Sequence, residues 1–228
     1  MSIIPEAIKG LQGFKDRATD PPVCFFSPAR INLIGEHIDY CGGLVMPAAI
    51  SYGTGFAASK STLNRVRVVS SNQPGLVEFD PHQENKPAGN WGDYVVGVFE
   101  AYRQRGVTLP MLDISIAGNI PGSCLSSSAS LGVGIALIIE HFLDAGEQVN
   151  RSTVARLVQQ AENTFVGVNC GIMDQAAVAC GRAGHAMLLD CESLNIRYIP
   201  AETGRLQLLI ADTRKDRKLV TSAYNEQI

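Results

Sequence analysis

Pro28-Ala29-Arg30-Ile31-Asn32-Leu33-Ile34-Gly35-Glu36-His37-Ile38-Asp39-Tyr40 gathers a guanidinium, a carboxamide, two carboxylates, an imidazole and a phenol into thirteen residues. The block follows a strand-like run, Val23 to Phe26, and precedes the turn residues Gly42 and Gly43. Polar groups this dense just past a strand cannot all be buried unpaired, because each unsatisfied group costs roughly 1–3 kcal/mol. They form either a mutually bonded structural knot or a site for a polar ligand. Glu36, His37 and Asp39 supply acceptors and a donor suited to the hydroxyl groups of a sugar.

The rest of the chain provides a core for that block. Its 228 residues are 46% hydrophobic and 18% charged, the composition of a globular protein with one large domain or one domain and part of another. A net charge of −3 gives no reason to expect nucleic acid or an anionic membrane as partner. No apolar run approaches the ~20 residues that span a bilayer, and the first twenty residues lack the apolar centre of a signal peptide. A cytoplasmic location is the default expectation. The six cysteines are scattered without a CxxC pair, which argues against a zinc site or a disulfide framework and for mostly buried thiols.

Hydrophobic spacing predicts an α+β order without the regular alternation of a doubly wound sheet. Strands are expected at Val23–Ser27, Tyr52–Ser59, Arg65–Val69, Leu76–Phe79, Leu112–Ala117, His185–Asp190 and Leu206–Ala211. Helices are expected from Trp91 to Tyr102 (about four turns), from Ala129 to Phe142, from Ser152 to Phe165, and around Ile172–Ala179.

Two further segments carry chemistry. In Asn119-Ile120-Pro121-Gly122-Ser123-Cys124-Leu125-Ser126-Ser127-Ser128-Ala129, three serines stand where a strand gives way to a helix. The free N–H groups and dipole of a helix start favour an anion, although serine N-capping alone accounts for the same residues. The segment lacks G-x-x-x-x-G-K-S/T, so it is not a P-loop, and Gly132-Val133-Gly134 lies inside the helix without the third glycine of a dinucleotide fold. In Cys170-Gly171-Ile172-Met173-Asp174-Gln175, a carboxylate opens a short helix after a glycine turn. Such an aspartate either compensates the helix dipole or performs chemistry.

Together these segments resemble the galactokinases of the GHMP small-molecule kinase family over residues 20–228. Residues 28–40 resemble the galactokinase motif, and Leu125 to Ser130 resemble the loop that cradles ATP phosphates. That loop's lead-in is one residue shorter here, with Cys124 where the family has glycine. Gly171 to Gln175 match the Gly-Ile-Met-Asp-Gln segment, and Trp91 with Tyr94 matches a Trp-x-x-Tyr helix. The resemblance implies the α+β fold of the GHMP-kinase N-terminal domain (ribosomal protein S5 domain 2-like) over residues 1–204. It assigns residues 205–228 to the start of an incomplete, ferredoxin-like C-terminal domain, since the family's third motif has no counterpart.

The implied activity is ATP-dependent phosphorylation of galactose to galactose 1-phosphate, with Mg2+. Asp174 and Arg30 would be catalytic, and Glu36, His37, Asp39, Gly171 and Tyr224 would hold the sugar. Trp91, Ser126, Ser127 and Ser128 would bind the nucleotide, and Ser128 and Glu162 the metal. The alternatives are a non-catalytic galactose- and ATP-binding sensor or an inactive fragment, a kinase for N-acetylgalactosamine or another sugar, or a hydrolase using Ser126–Ser128 with His37. The last lacks the G-x-S-x-G elbow.

Overall fold

β1 (Val23–Asn32) continues past the apolar run and into the polar block. It pairs antiparallel with β3 (Pro47–Lys60), and the register shifts between Pro28 and Ala29. Proline donates no hydrogen bond and suits an irregularity on an edge strand, so the strand survives to Asn32 and carries Arg30 with it. The computed structural model describes residues 3–14, 16, 20–121, 125–143, 148–201 and 208–211.

With β4 (Val66–Ser70), β5 (Leu76–Phe79) and β6 (Leu112–Gly118), these strands form a five-stranded sheet in the order β1-β3-β6-β4-β5. All neighbours are antiparallel except β4 and β6. Alternation along β3 serves two layers. Phe56 and Ala58 enter the main core, whereas Ala57 meets Ile3, Ala7 and Leu11 of α1 (Ile3–Leu11) on the other face.

The main core lies between the sheet and four helices: α2 (Asp93–Arg103), α3 (Ser127–Phe142), α4 (Arg151–Gln160) and α5 (Met173–Cys180). A second, antiparallel sheet joins β2 (Leu44–Val45), β7 (His185–Asp190) and β8 (Ile196–Pro200) in the order β2-β7-β8.

α3 is fixed closely to the large sheet. The Ser130 hydroxyl hydrogen-bonds the Ser27 carbonyl at 2.8 Å and Thr54 Oγ1 at 2.9 Å. Farther along, Gly134 leaves no room for a side chain, since a Cβ there would lie 2.1 Å from the Phe56 ring. The start of α3 is thus held beside β1.

Several expectations need correction. α2 starts at Asp93 and runs three turns rather than four, so Trp91 precedes it. The buried Asp93 carboxylate accepts from the backbone N–H groups of Ala88 and Gly89 at 2.8 and 2.7 Å, closing a turn just ahead of the helix. The helix expected over Ser152–Phe165 changes at Ala161 into a π-helical turn, Ala161–Val166.

Residues 208–211 form no strand; without a partner, their apolar content gives no ladder. Leu206, Gln207 and most of the expected second domain lie outside the described residues, as does Cys124. Of the five described cysteines, Cys191 is buried, whereas Cys24 on the edge strand and Cys41 in a turn are exposed. The sequence reading did not include α1, β2 or β8.

Candidate active site

Arg30 near the end of β1 meets Asp174 in the first turn of α5. Arg30 Nε and Nη2 donate to the two carboxylate oxygens of Asp174 at 2.7 and 2.9 Å. Such a two-pronged, charge-assisted pair fixes orientation as well as distance. Ser126, just before α3, also donates its hydroxyl to Asp174. It occupies the left-handed region at φ 59° and does not cap the helix with its side chain. The backbone N–H of Arg30 donates to the Leu125 carbonyl at 3.3 Å, so β1, the serine loop and α5 converge.

A second cluster lies behind the first. The π turn carries Glu162, a buried carboxylate that accepts from Gln175 Nε2 at 3.0 Å and from the Ser128 hydroxyl. Single π turns often re-aim one side chain at a functional site. Burial pushes the Glu162 carboxyl up to about 7, and the Asp174 charge acts in the same direction against the two hydrogen bonds. Tyr94 of α2 lies close enough to feel that carboxylate, and burial pushes its phenol up to about 12.

A carboxylate beside a hydroxyl fits Mg2+, which takes oxygen ligands and is usually held by one or two protein carboxylates together with substrate phosphates. A divalent charge would also relieve the burial penalty on Glu162. The donor set therefore fits the implied ion.

The polar block divides in two. Asp39 opens a 3₁₀ turn, Asp39–Cys41, and is buried against Gly171. A Cβ at Gly171 would lie 2.0 Å from Asp39 Oδ2, so only glycine fits that approach without movement. Burial raises the Asp39 carboxyl above its ordinary range, aided by the nearby Asp174 charge and opposed by backbone N–H groups including that of Met173. Glu36 and His37 remain exposed. Glu36 accepts from Asn32 Nδ2 at 2.9 Å, and His37 Nδ1 lies 3.2 Å from the Tyr40 hydroxyl.

The structure thus brings Arg30, Asp174, Ser126, Ser128, Glu162, Asp39 and Gly171 into one neighbourhood. Ser127 is an exposed residue opening α3. Trp91 is half-buried, with its indole N–H on the Pro74 carbonyl at 3.1 Å rather than on the Asp174 cluster. Tyr224 lies outside the described residues. The hydrolase reading loses support, because Ser126 bonds Asp174 while His37 faces Tyr40. Asn32 and Gln175 lie within the motifs, but the sequence alone gives them no role. Their amides lie next to carboxylates only after folding.

Known proteins are similar to this chain in sequence and fold. The model of the galactokinase galactose-binding signature matches residues 12–60, and that of the GHMP kinase N-terminal domain matches residues 93–182. The chain carries the fold of a GHMP kinase N-terminal domain. Within that family its likeness is to the galactokinases.

It is 45% identical over 207 residues to a galactokinase of Clostridium tetani and 41% identical over 207 residues to one of Bacillus subtilis. Those matches cover 89% and 88% of this chain and 52% of each relative. The crystal structure of Lactococcus lactis galactokinase complexed with galactose matches with a TM-score of 0.87 and 37% identity, over 98% of this chain and 58% of that one. The Methanococcus jannaschii mevalonate kinase shares the fold at a TM-score of 0.65 and 17% identity. The chain spans about half the length of the curated relatives it matches. Among the described residues, no helix is long and apolar enough to cross a membrane.

Proposed function

We propose that this chain carries the sugar site and much of the nucleotide site of a galactokinase, which transfers the γ-phosphoryl group of ATP to the anomeric hydroxyl of galactose. The observation that carries this reading is Asp174, gripped on both oxygens by Arg30 and lying beside the Asp39–Gly171 wall. Phosphoryl transfer depends on alignment and charge neutralisation more than on covalent help from the protein.

Asp174 accepts the hydroxyl proton as the sugar oxygen bonds to the γ-phosphorus and the bond to the ADP oxygen breaks. Arg30 holds the carboxylate in place and presents positive charge to the transferring group. Glu36, His37, Asp39 and Gly171, with Tyr224, position the sugar. Ser126, Ser127 and Ser128 at the start of α3 receive the phosphates, and Trp91 flanks the adenine. Ser128 and Glu162 would hold Mg2+, which when bound would neutralise phosphate charge.

A non-catalytic binder of galactose and ATP is the second reading. It is favoured by the commitment of Asp174 to both Arg30 and Ser126. Prolonged incubation with ATP, Mg2+ and a panel of galactose, N-acetylgalactosamine and glucose, followed by phosphorus NMR, separates the two. Kinase function yields galactose 1-phosphate, which Asp174→Asn abolishes. Galactose binding without product supports the sensor, and binding of neither substrate refutes both.

A further inference from the structure

Among the described residues, four buried side-chain atoms find no hydrogen-bond partner: Ser27 Oγ, Ser59 Oγ, Asn32 Oδ1 and Gln175 Oε1. The two amides share an arrangement. Asn32 gives its NH2 group to Glu36 at 2.9 Å, and Gln175 gives its own to Glu162 at 3.0 Å. The remaining hydrogen of the Gln175 amide faces Cys170 Sγ at 3.5 Å. In each case the nitrogen is spent on a carboxylate of the site while the carbonyl oxygen is left buried and unmet.

Turning either amide over would set its oxygen against the carboxylate, so the carboxylate dictates the orientation. Leaving an acceptor unmet costs roughly 1–3 kcal/mol, which an apolar side chain of the same shape would avoid. Each amide is therefore better explained by the donor it supplies than by packing.

We propose that Asn32 and Gln175 are positioning residues, one for the sugar and one for the metal–nucleotide. This rests on the reading of Glu36 and Glu162 given above. Asn32 occupies Glu36 Oε1 and fixes the plane in which the other oxygen meets a sugar hydroxyl. Gln175 holds Glu162 Oε1 from behind while Ser128 approaches the same carboxylate. Partners behind a ligating carboxylate commonly set its orientation, and their loss typically weakens metal binding about 10–100-fold.

The test uses shape-preserving substitutions in the 228-residue chain. Galactose affinity is measured by titration calorimetry, Mn2+ affinity in the presence of ATP by electron paramagnetic resonance, and folding by melting temperature. Asn32→Leu is expected to weaken galactose at least about tenfold and leave Mn2+–ATP within about twofold; Gln175→Met is expected to do the reverse. Should either variant fail to fold, Asn32→Ser or Gln175→Asn shortens the side chain so that its donor no longer reaches the carboxylate while keeping a polar group, and the same split is expected. Unchanged affinities, or equal loss of both ligands, in folded variants overturns the proposal and leaves the kinase reading standing. A wild-type chain that binds neither ligand overturns both.

Discussion

In the proposed mechanism Asp174 is the residue on which the chemistry turns. Asp174→Asn keeps the shape of the side chain but removes its capacity to accept a proton. Phosphoryl transfer should disappear while galactose affinity stays within about tenfold, as calorimetry beside a product assay would reveal. Normal turnover by a folded variant would remove the base from Asp174.

Glu162 makes a separate prediction about pH. Its carboxyl rises from 4.5 to about 7, so the folded chain holds the proton more tightly than the unfolded one. The stability it contributes is therefore whole below pH 4.5 and is lost as the pH rises through 7, by roughly 3 kcal/mol. Metal-free melting should find the wild type and Glu162→Gln alike near pH 4, with the variant gaining relative stability toward pH 8. A difference that does not change with pH would place Glu162 in a more polar setting than described here. Arg30 and Asp174 stood out as candidates because each lies within a long motif, and Glu162 only through the family resemblance. The hold of Ser126 on Asp174 was not legible, since its donor and acceptor lie far apart in the chain and meet only through the tertiary fold.

At the scale of elements, close approaches at glycine do most of the positioning. Gly171→Ala would drive a methyl group into Asp39 and displace the 3₁₀ turn that carries it. Galactose affinity should fall by at least about tenfold, because acceptors moved by ~1 Å lose much of their directed bonding. An unchanged affinity would show that Asp39 does not contact the sugar. Gly134→Ala should instead act on stability, costing about 1–3 kcal/mol by overpacking α3 against Phe56; chemical denaturation measures this directly.

Strands β4, β5, β6 and β7 were legible from compact apolar or alternating runs. The extension of β1 was not, because Arg30 and Asn32 read as loop until β3 supplies their ladder. The π turn was hidden too, since one widened turn leaves the apolar spacing of α4 nearly intact. α1 has the helical spacing Ile3, Ile4, Ala7, Ile8 and Leu11, but it is short and interrupted by Pro5 and Gly10, and the second small core it fills exists only once Ala57 and Ala117 are presented by the sheet.

At the scale of the whole chain, the site cluster is joined to an apolar segment that forms no strand among the described residues. Leu208, Leu209 and Ile210 are 62%, 93% and 42% exposed, and the chain spans about half the length of its curated relatives. Exposed apolar surface of this kind favours association. Turnover by the 228-residue chain should accordingly be at least ~100-fold below that of the Clostridium tetani relative, equivalent to about 2.7 kcal/mol of transition-state stabilisation. Comparable rates under matched conditions would show that this half of the length suffices.

Binding tests the central claim more directly than turnover, because the claim concerns a sugar site built from Glu36, His37, Asp39 and Gly171. The decisive measurement is a calorimetric titration of galactose, with glucose as control, into the wild-type chain and into Glu36→Ala and Asp39→Ala. The account predicts saturable binding that prefers galactose and weakens by roughly 1–3 kcal/mol in each variant, with ATP affinity little changed. Galactose that binds no better than glucose, or loses nothing when either carboxylate is removed, would contradict it.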